Sequence, residues 1–129
     1  MLRSVAAIAV REGRVFVARR KPGGELGLKW EFPGGKVEDG EDDRAALIRE
    51  FDEEFGVAVR PLNALGEASF IHHERARDLC AWSVELDRGR PLDLREHLEV
   101  RWVGPEELES LDLAGSDRQL LSFVLPLLR

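Results

Sequence analysis

Gly35-Lys36-Val37-Glu38-Asp39-Gly40-Glu41-Asp42-Asp43-Arg44-Ala45-Ala46-Leu47-Ile48-Arg49-Glu50-Phe51-Asp52-Glu53-Glu54-Phe55-Gly56-Val57 decides how the rest of the chain is read. Ala45, Ile48, Phe51 and Phe55 recur at three- and four-residue intervals, which predicts an amphipathic helix from about Asp42 to Phe55 with these residues as its buried stripe. Glu50, Glu53 and Glu54 keep the same interval on another side, so their carboxylates project together. Carboxylates that close repel one another unless a cation sits among them. Hard divalent ions take clustered oxygen ligands, and magnesium keeps waters and binds substrate phosphates, so the cluster reads as a magnesium site for a phosphate substrate. The alternative, a solvated acidic face, has to explain Phe32-Pro33-Gly34-Gly35 before the helix, Gly56 after it, and Arg49 and Glu41 at fixed offsets.

The chain has 129 residues, 43% hydrophobic and 34% charged, which suits one globular domain spanning 1–129. Its formal net charge is -6, with acids gathered between Glu38 and Glu54, so there is no basic footprint for a nucleic acid polymer. A free nucleotide carrying its own magnesium is the easier partner. Cys80 is the single cysteine; it reads as core, and an internal disulfide is excluded. The N-terminal apolar run is too short to span a bilayer and lacks a cleavage pattern, so a soluble cytoplasmic protein without membrane contact is expected. Either a monomer or a homodimer is compatible with this composition.

Residues Leu2 to Val10 and Val15 to Ala18 read as strands joined by a turn at Arg11-Glu12-Gly13. Arg19-Arg20 then runs into the basic loop Lys21-Pro22-Gly23-Gly24, which could hold a phosphate or the edge of a base, or simply be a charged strand end. Trp30 and Phe32, two apart in an extended segment, share a face; core is the expectation for both, with stacking on a base as the alternative for one. At Pro33-Gly34-Gly35 the backbone can bend tightly enough to bring a carbonyl to a metal. An extended stretch from Val57 to Phe70, broken by Pro61, and a strand from Leu79 to Leu86 leave Ile71 to Asp78 as a hairpin connection. His72 and His73 invite a zinc reading, but neighbours on a strand face opposite ways and no cysteine or histidine stands at ligand spacing, which favours a structural or rim role. A strand at Val100 to Val103 follows, then a short helix opened by Pro105. Ser116 or Asp117 is expected to cap a last helix carrying Leu120, Leu121, Val124, Leu127 and Leu128, where the positive helix end favours an ionised Asp117.

Gly35, Glu41, Arg49-Glu50, Glu53-Glu54 and Gly56 occupy every fixed position of the Nudix box, G-x5-E-x7-R-E-U-x-E-E-x-G-U with U apolar. The chain therefore resembles the Nudix hydrolases, and the small MutT-type branch most, through Val15-Phe16-Val17-Ala18-Arg19-Arg20, Trp30 to Lys36, and Ala114 to Leu121. The resemblance implies an α/β/α sandwich around a mixed β-sheet. It implies metal binding by the Gly34 carbonyl and by Glu50, Glu53 and Glu54, with magnesium or manganese as the ion, and pairing of Arg49 with Glu41. A further acid from the loop before the penultimate strand falls at Glu96, with Glu99 as the neighbouring choice; either Glu50 or Glu96 would then be the catalytic base. Arg20, Phe32 and Asp117 match positions that contact the nucleobase, and Lys36 completes the substrate-facing set. The best-known 8-oxo-dGTP enzyme has an asparagine where this chain has Asp117, and the segments around Asp78 to Trp82 and Arg95 to His97 also look like those of CTP and modified-dCTP pyrophosphohydrolases.

The activity this implies is magnesium-dependent hydrolysis of a nucleoside triphosphate, oxidised or modified bases included, to monophosphate and pyrophosphate. A hydrolase of ADP-ribose or dinucleoside polyphosphates is the alternative, though no further mark for those substrates is seen downstream of the box. A non-catalytic nucleotide sensor is the remaining class, and the full set of box acids argues against it.

Overall fold

The computed structural model describes residues 2–128; the expected domain limits at 1 and 129 lie outside the described residues. Strands β1 (Leu2–Arg11), β2 (Arg14–Arg20), β3 (Trp30–Glu31) and β4 (Gly34–Lys36) precede helix α1 (Asp43–Phe55). Then come β5 (Val59–His72), β6 (Arg75–Leu86) and β7 (His97–Val103), helices α2 (Pro105–Ser110), α3 (Gly115–Arg118) and α4 (Leu121–Val124), and a 3-10 turn at Leu125–Leu128. β1 is central. It runs parallel to β6 and antiparallel to β2 and β4, while β5 pairs with β6 and both β3 and β7 pair with β2. The result is the expected mixed sheet.

Alternation along the strands sorts the core into two layers. Val5, Ala7, Ala9, Phe16 and Ala18 pack under α1 with Leu47, Phe51 and Phe55. Ala6, Ile8, Val15 and Val17 face the other way, against Leu108, Leu120, Val124 and Leu128 of the C-terminal segments. Helices thus cover both faces, an α/β/α sandwich. Phe16 meets Phe51 and Phe55 with ring centroids 6.5 and 5.6 Å apart, and burying each such ring stabilises the fold by about 1.5–3 kcal/mol.

Helix α1 starts where its cap permits: the Asp42 side chain accepts from the Ala45 N–H at 2.8 Å, a contact worth about 1 kcal/mol. It ends at Gly56, left-handed at φ 67, whose N–H bonds the Asp52 carbonyl. The buried stripe is half the expected one: Phe51 and Phe55 are buried as expected. Ala45 and Ile48 are exposed, and Ala46, Leu47, Phe51 and Phe55 face the sheet. The helix start is tied to the sheet through Asp43: Arg3 donates to both Asp43 oxygens at 2.7 Å and the Trp82 indole donates at 3.0 Å.

Three further readings are corrected. Ile71 to Asp78 is no long connection, since β5 and β6 pair from Val59↔Leu86 to His72↔Arg75 and leave His73 and Glu74 as the turn. Both turn residues have positive φ, 50 and 62, as a two-residue hairpin requires; the charges of β6 hid a strand whose ladder continues past the core. Pro61 does not break β5, an edge strand that absorbs it with register shifts at Pro61/Asn63 and Ala64/Gly66. The last helix is three short pieces, and neither Ser116 nor Asp117 caps it by a side chain; Ala114 stands at the N-cap of α3. β7 also begins earlier than expected, at His97. Trp30 and Phe32 are core residues of one layer, as expected, and so is Cys80.

Candidate active site

Between α1, β4 and the loop before β7 lies a cleft of about 370 Å³. Its floor is fixed by backbone pairing: Gly34 sits opposite Ala6 and Gly35 opposite Val5, while the Ala7 N–H bonds the Pro33 carbonyl at 2.7 Å and the Val37 N–H bonds the Arg3 carbonyl at 2.9 Å. A side chain is excluded at Gly34, and at Gly35 it would displace the Glu50 carboxylate. A Cβ on Gly34 would overlap the Val5 carbonyl, and one on Gly35 would stand 2.5 Å from the Glu50 carboxylate.

The acids of α1 meet this floor. Glu50, Glu53 and Glu54 line the cleft together with Gly34 and Gly35. Arg49 is the hub that orients them: it donates to both Glu41 oxygens at 2.7 and 2.9 Å, to Glu50 at 3.0 Å, to Glu53 at 3.2 Å and to the Lys36 carbonyl at 2.9 Å. Its guanidinium hydrogen bonds hold the Glu41 carboxyl down at about 2. The segment before β7 closes the other side, because the Asp93 N–H bonds the Phe55 carbonyl and Arg95 donates to the Glu54 and Asp52 carbonyls. That anchoring brings the exposed Glu96 to the cleft and stacks the His97 ring on Phe55 at 5.2 Å. Glu99 points elsewhere, pairing with Arg101 at 3.0 Å.

Glu54 is buried, 6% exposed, and its Oε2 has no hydrogen-bond partner among the described residues. Burial first, then a hydrogen bond with Glu50 and the charges of Glu31, Glu50 and Glu96, push its carboxyl up to about 10. A divalent cation among these oxygens reverses that sign and satisfies the orphaned atom. The donors are mostly carboxylate oxygens in a partly solvent-open cleft, with His97 beside Glu31 and Glu54 as the one histidine nitrogen in reach among the described residues, so the acids of α1 fit a hard ion such as magnesium.

At the other end Arg20, Phe32, Ser116 and Asp117 line the same cleft. The backbone bonds between Trp30 and residues Asp112 and Ala114 draw the C-terminal segment alongside β3. Asp117 consequently accepts from the Phe32 N–H at 3.2 Å, which is what it does instead of capping a helix. Burial, then the charge of Glu31, push its carboxyl well above the usual range, with the Phe32 N–H and Arg20 pulling the other way. Desolvation thus opposes the helix-end charge that was expected to favour an ionised Asp117, and shifts the balance toward the neutral acid. Trp30 does not line the cleft; it lies against the Arg101 guanidinium at 4.7 Å. Lys36 is exposed and outside the lining, with its carbonyl engaged by Arg49.

Two titratable lining residues, Glu31 and His97, escaped the sequence reading. Arg20 donates to Glu31 at 3.1 Å, Glu31 and His97 are bonded at 2.8 Å, and His97 Nε2 stands 3.6 Å from Glu54, so a chain of polar contacts runs from Arg20 to the acids of α1. The signal for Glu31 was its place between two core aromatics, which turns it to the opposite face from theirs.

Comparison with known proteins accords with this geometry. The NUDIX domain family model matches residues 1–123. The chain is 38% identical over 125 residues to a CTP pyrophosphohydrolase of Escherichia coli (strain K12), covering 94% of this chain and 89% of that one. It is 41% identical over 116 residues to a protein of Mycobacterium tuberculosis (strain CDC 1551 / Oshkosh) named putative 8-oxo-dGTP diphosphatase 2, covering 88% and 81%. The solution structure of the E. coli ORF135 protein superposes with a TM-score of 0.87 at 34% identity, covering 98% of this chain and 90% of that one.

Proposed function

The chain belongs to the Nudix family of pyrophosphohydrolases, and from that premise we propose that it hydrolyses a nucleoside triphosphate to the monophosphate and pyrophosphate, clearing modified nucleotides from the precursor pool. The observation that carries this reading is a single cleft lined both by the acid cluster Glu50, Glu53, Glu54 and Glu96 and by Arg20, Phe32 and Asp117. Residues 1–129 then act as one catalytic domain.

Gly34, Glu50, Glu53, Glu54 and Glu96 would hold magnesium, or manganese in its place. The bound ion would neutralise phosphate oxygens and acidify a water. Arg49 keeps Glu50 and Glu53 in register, with Glu41 locking the guanidinium from behind. Glu50 or Glu96 takes the proton from the attacking water; Glu50 is the more rigid of the two, pinned between Arg49 and Gly35. Lys36 meets the outer phosphates from the exposed side.

Asp117, Arg20 and Phe32 take the base. With one Asp117 oxygen accepting from Phe32, a neutral acid presents its O–H to the ligand, so the base must offer an acceptor there. Cytosine N3 and the guanine O6 of an oxidised purine both qualify, in keeping with the activities named for the relatives. A magnesium-supplemented panel of normal, oxidised and methylated nucleoside triphosphates, ADP-ribose and dinucleoside polyphosphates tests the proposal, with pyrophosphate and orthophosphate read separately. Pyrophosphate release from a cytosine or oxidised purine triphosphate is expected; preferential turnover of ADP-ribose or a dinucleoside polyphosphate overturns it.

A further inference from the structure

At the mouth of the cleft, Glu25, His72 and His73 each offer one ligand atom, and these atoms lie within 4.8 Å of one another. Two distant segments make this cluster. Glu25 comes from the loop between β2 and β3, where Gly23 and Gly24 have φ of 112 and 71 and Gly27 folds back so tightly that a Cβ there would stand 2.6 Å from the Gly23 backbone. The histidines come from the β5–β6 hairpin.

Neighbouring histidines on a strand would face apart, and that argument fails here for a local reason. His73 is already in the turn, at φ 50, so strand alternation no longer governs it, and its ring lies 4.0 Å from that of His72. Two imidazole nitrogens and one carboxylate oxygen form a ligand set for zinc, nickel, cobalt or copper rather than for magnesium, which prefers oxygen alone. Three protein ligands leave a coordination position for water.

We propose that Glu25, His72 and His73 form a second, transition-metal site that staples the β2–β3 loop to the β5–β6 hairpin. The consequence concerns access. Leu26, next to Glu25, and Phe70, on the same strand face as His72, both line the cleft. A bound ion fixes these walls relative to each other and so controls entry at the base end, independently of the acid cluster on α1.

The test uses tag-free, chelator-treated protein with magnesium saturating. Zinc is titrated by calorimetry, and amide exchange of residues 22–28 is followed with and without one equivalent. Tight binding of one zinc ion is expected, with slowed exchange in that loop. His73→Ala, at an exposed turn position, and Glu25→Gln should each weaken zinc binding at least tenfold, while turnover without zinc stays at the wild-type level. Glu54→Gln should leave zinc binding intact. The proposal is overturned if no stoichiometric zinc binds beside magnesium, if binding survives His73→Ala and Glu25→Gln but is lost in Glu54→Gln, or if zinc binds without slowing loop exchange.

Discussion

Asp117→Asn tests whether a neutral acid sits in the base end of the cleft. The amide is isosteric, keeps an acceptor for the Phe32 N–H, and offers an N–H where the acid offers its O–H, but it cannot ionise. The folded state raises the Asp117 pKa through burial, so its proton is held on folding. Below the unfolded value, about 4, both states are protonated and stability is complete. As pH rises from there toward the folded value, the unfolded chain ionises first, and wild-type stability falls by about 1.4 kcal/mol per pH unit. The asparagine variant lacks this slope. Urea unfolding of metal-free protein across a pH series upward from about 4 should show the variant gaining on wild type, by at most about 1.4 kcal/mol per pH unit until the raised folded value is reached. Since the donor and acceptor pattern is preserved, kcat/KM across the nucleotide panel should keep its order in Asp117→Asn, whereas Asp117→Leu should lose about 1–3 kcal/mol of discrimination. Parallel stability profiles for wild type and Asp117→Asn, with a reordered nucleotide panel, would show an ionised Asp117 and refute the reasoning.

Gly34→Ala forces a Cβ onto the Val5 carbonyl and should cost about 1–3 kcal/mol in chemical unfolding together with most activity; Gly115→Ala, with open space around it, is the neutral control. Arg49→Lys keeps the charge but loses the forked contacts to Glu41, Glu50 and Glu53, and steady-state kinetics should show kcat/KM lower by about 10–100-fold with little change in Tm. Because the metal-free Glu54 carboxyl is pushed up to about 10, ion binding must expel its proton. Magnesium affinity measured by calorimetry should therefore rise with pH, by at most about tenfold per unit between pH 6 and 8, with activity favouring the alkaline side; affinity independent of pH would contradict this.

Much of this molecule was legible in its residues. The spacing of Gly35, Glu41, Arg49, Glu50, Glu53, Glu54 and Gly56 marked the acid cluster because helix geometry is local, and the strands β1 and β2 showed in their apolar runs. What stayed hidden depended on distant contacts. Which side of the N-terminal half of α1 meets the sheet depends on partners such as Arg3 and Trp82, which hold Asp43 from 40 and 39 residues away in sequence. The upward shift of the Asp117 carboxyl follows from its burial beside Phe32, against the local helix-end argument. Glu31 and His97 are ordinary residues in sequence, joined to Arg20 and Glu54 only once β2, β3 and β7 pair. The two histidines gained a partner in Glu25 because a hairpin longer than expected brings them to the loop after β2.

The most direct test of the central claim is magnesium-dependent pyrophosphate release by Glu53→Gln beside wild type on the preferred triphosphate. Glu53 has an exposed side chain, so the variant keeps its fold, verified by an unchanged Tm, and loses one charged oxygen from the cleft. Wild type should release one pyrophosphate per monophosphate in a magnesium-dependent manner, and Glu53→Gln should retain little of that turnover. Near wild-type turnover in a folded Glu53→Gln, or orthophosphate as the product of the wild-type enzyme, would contradict the account.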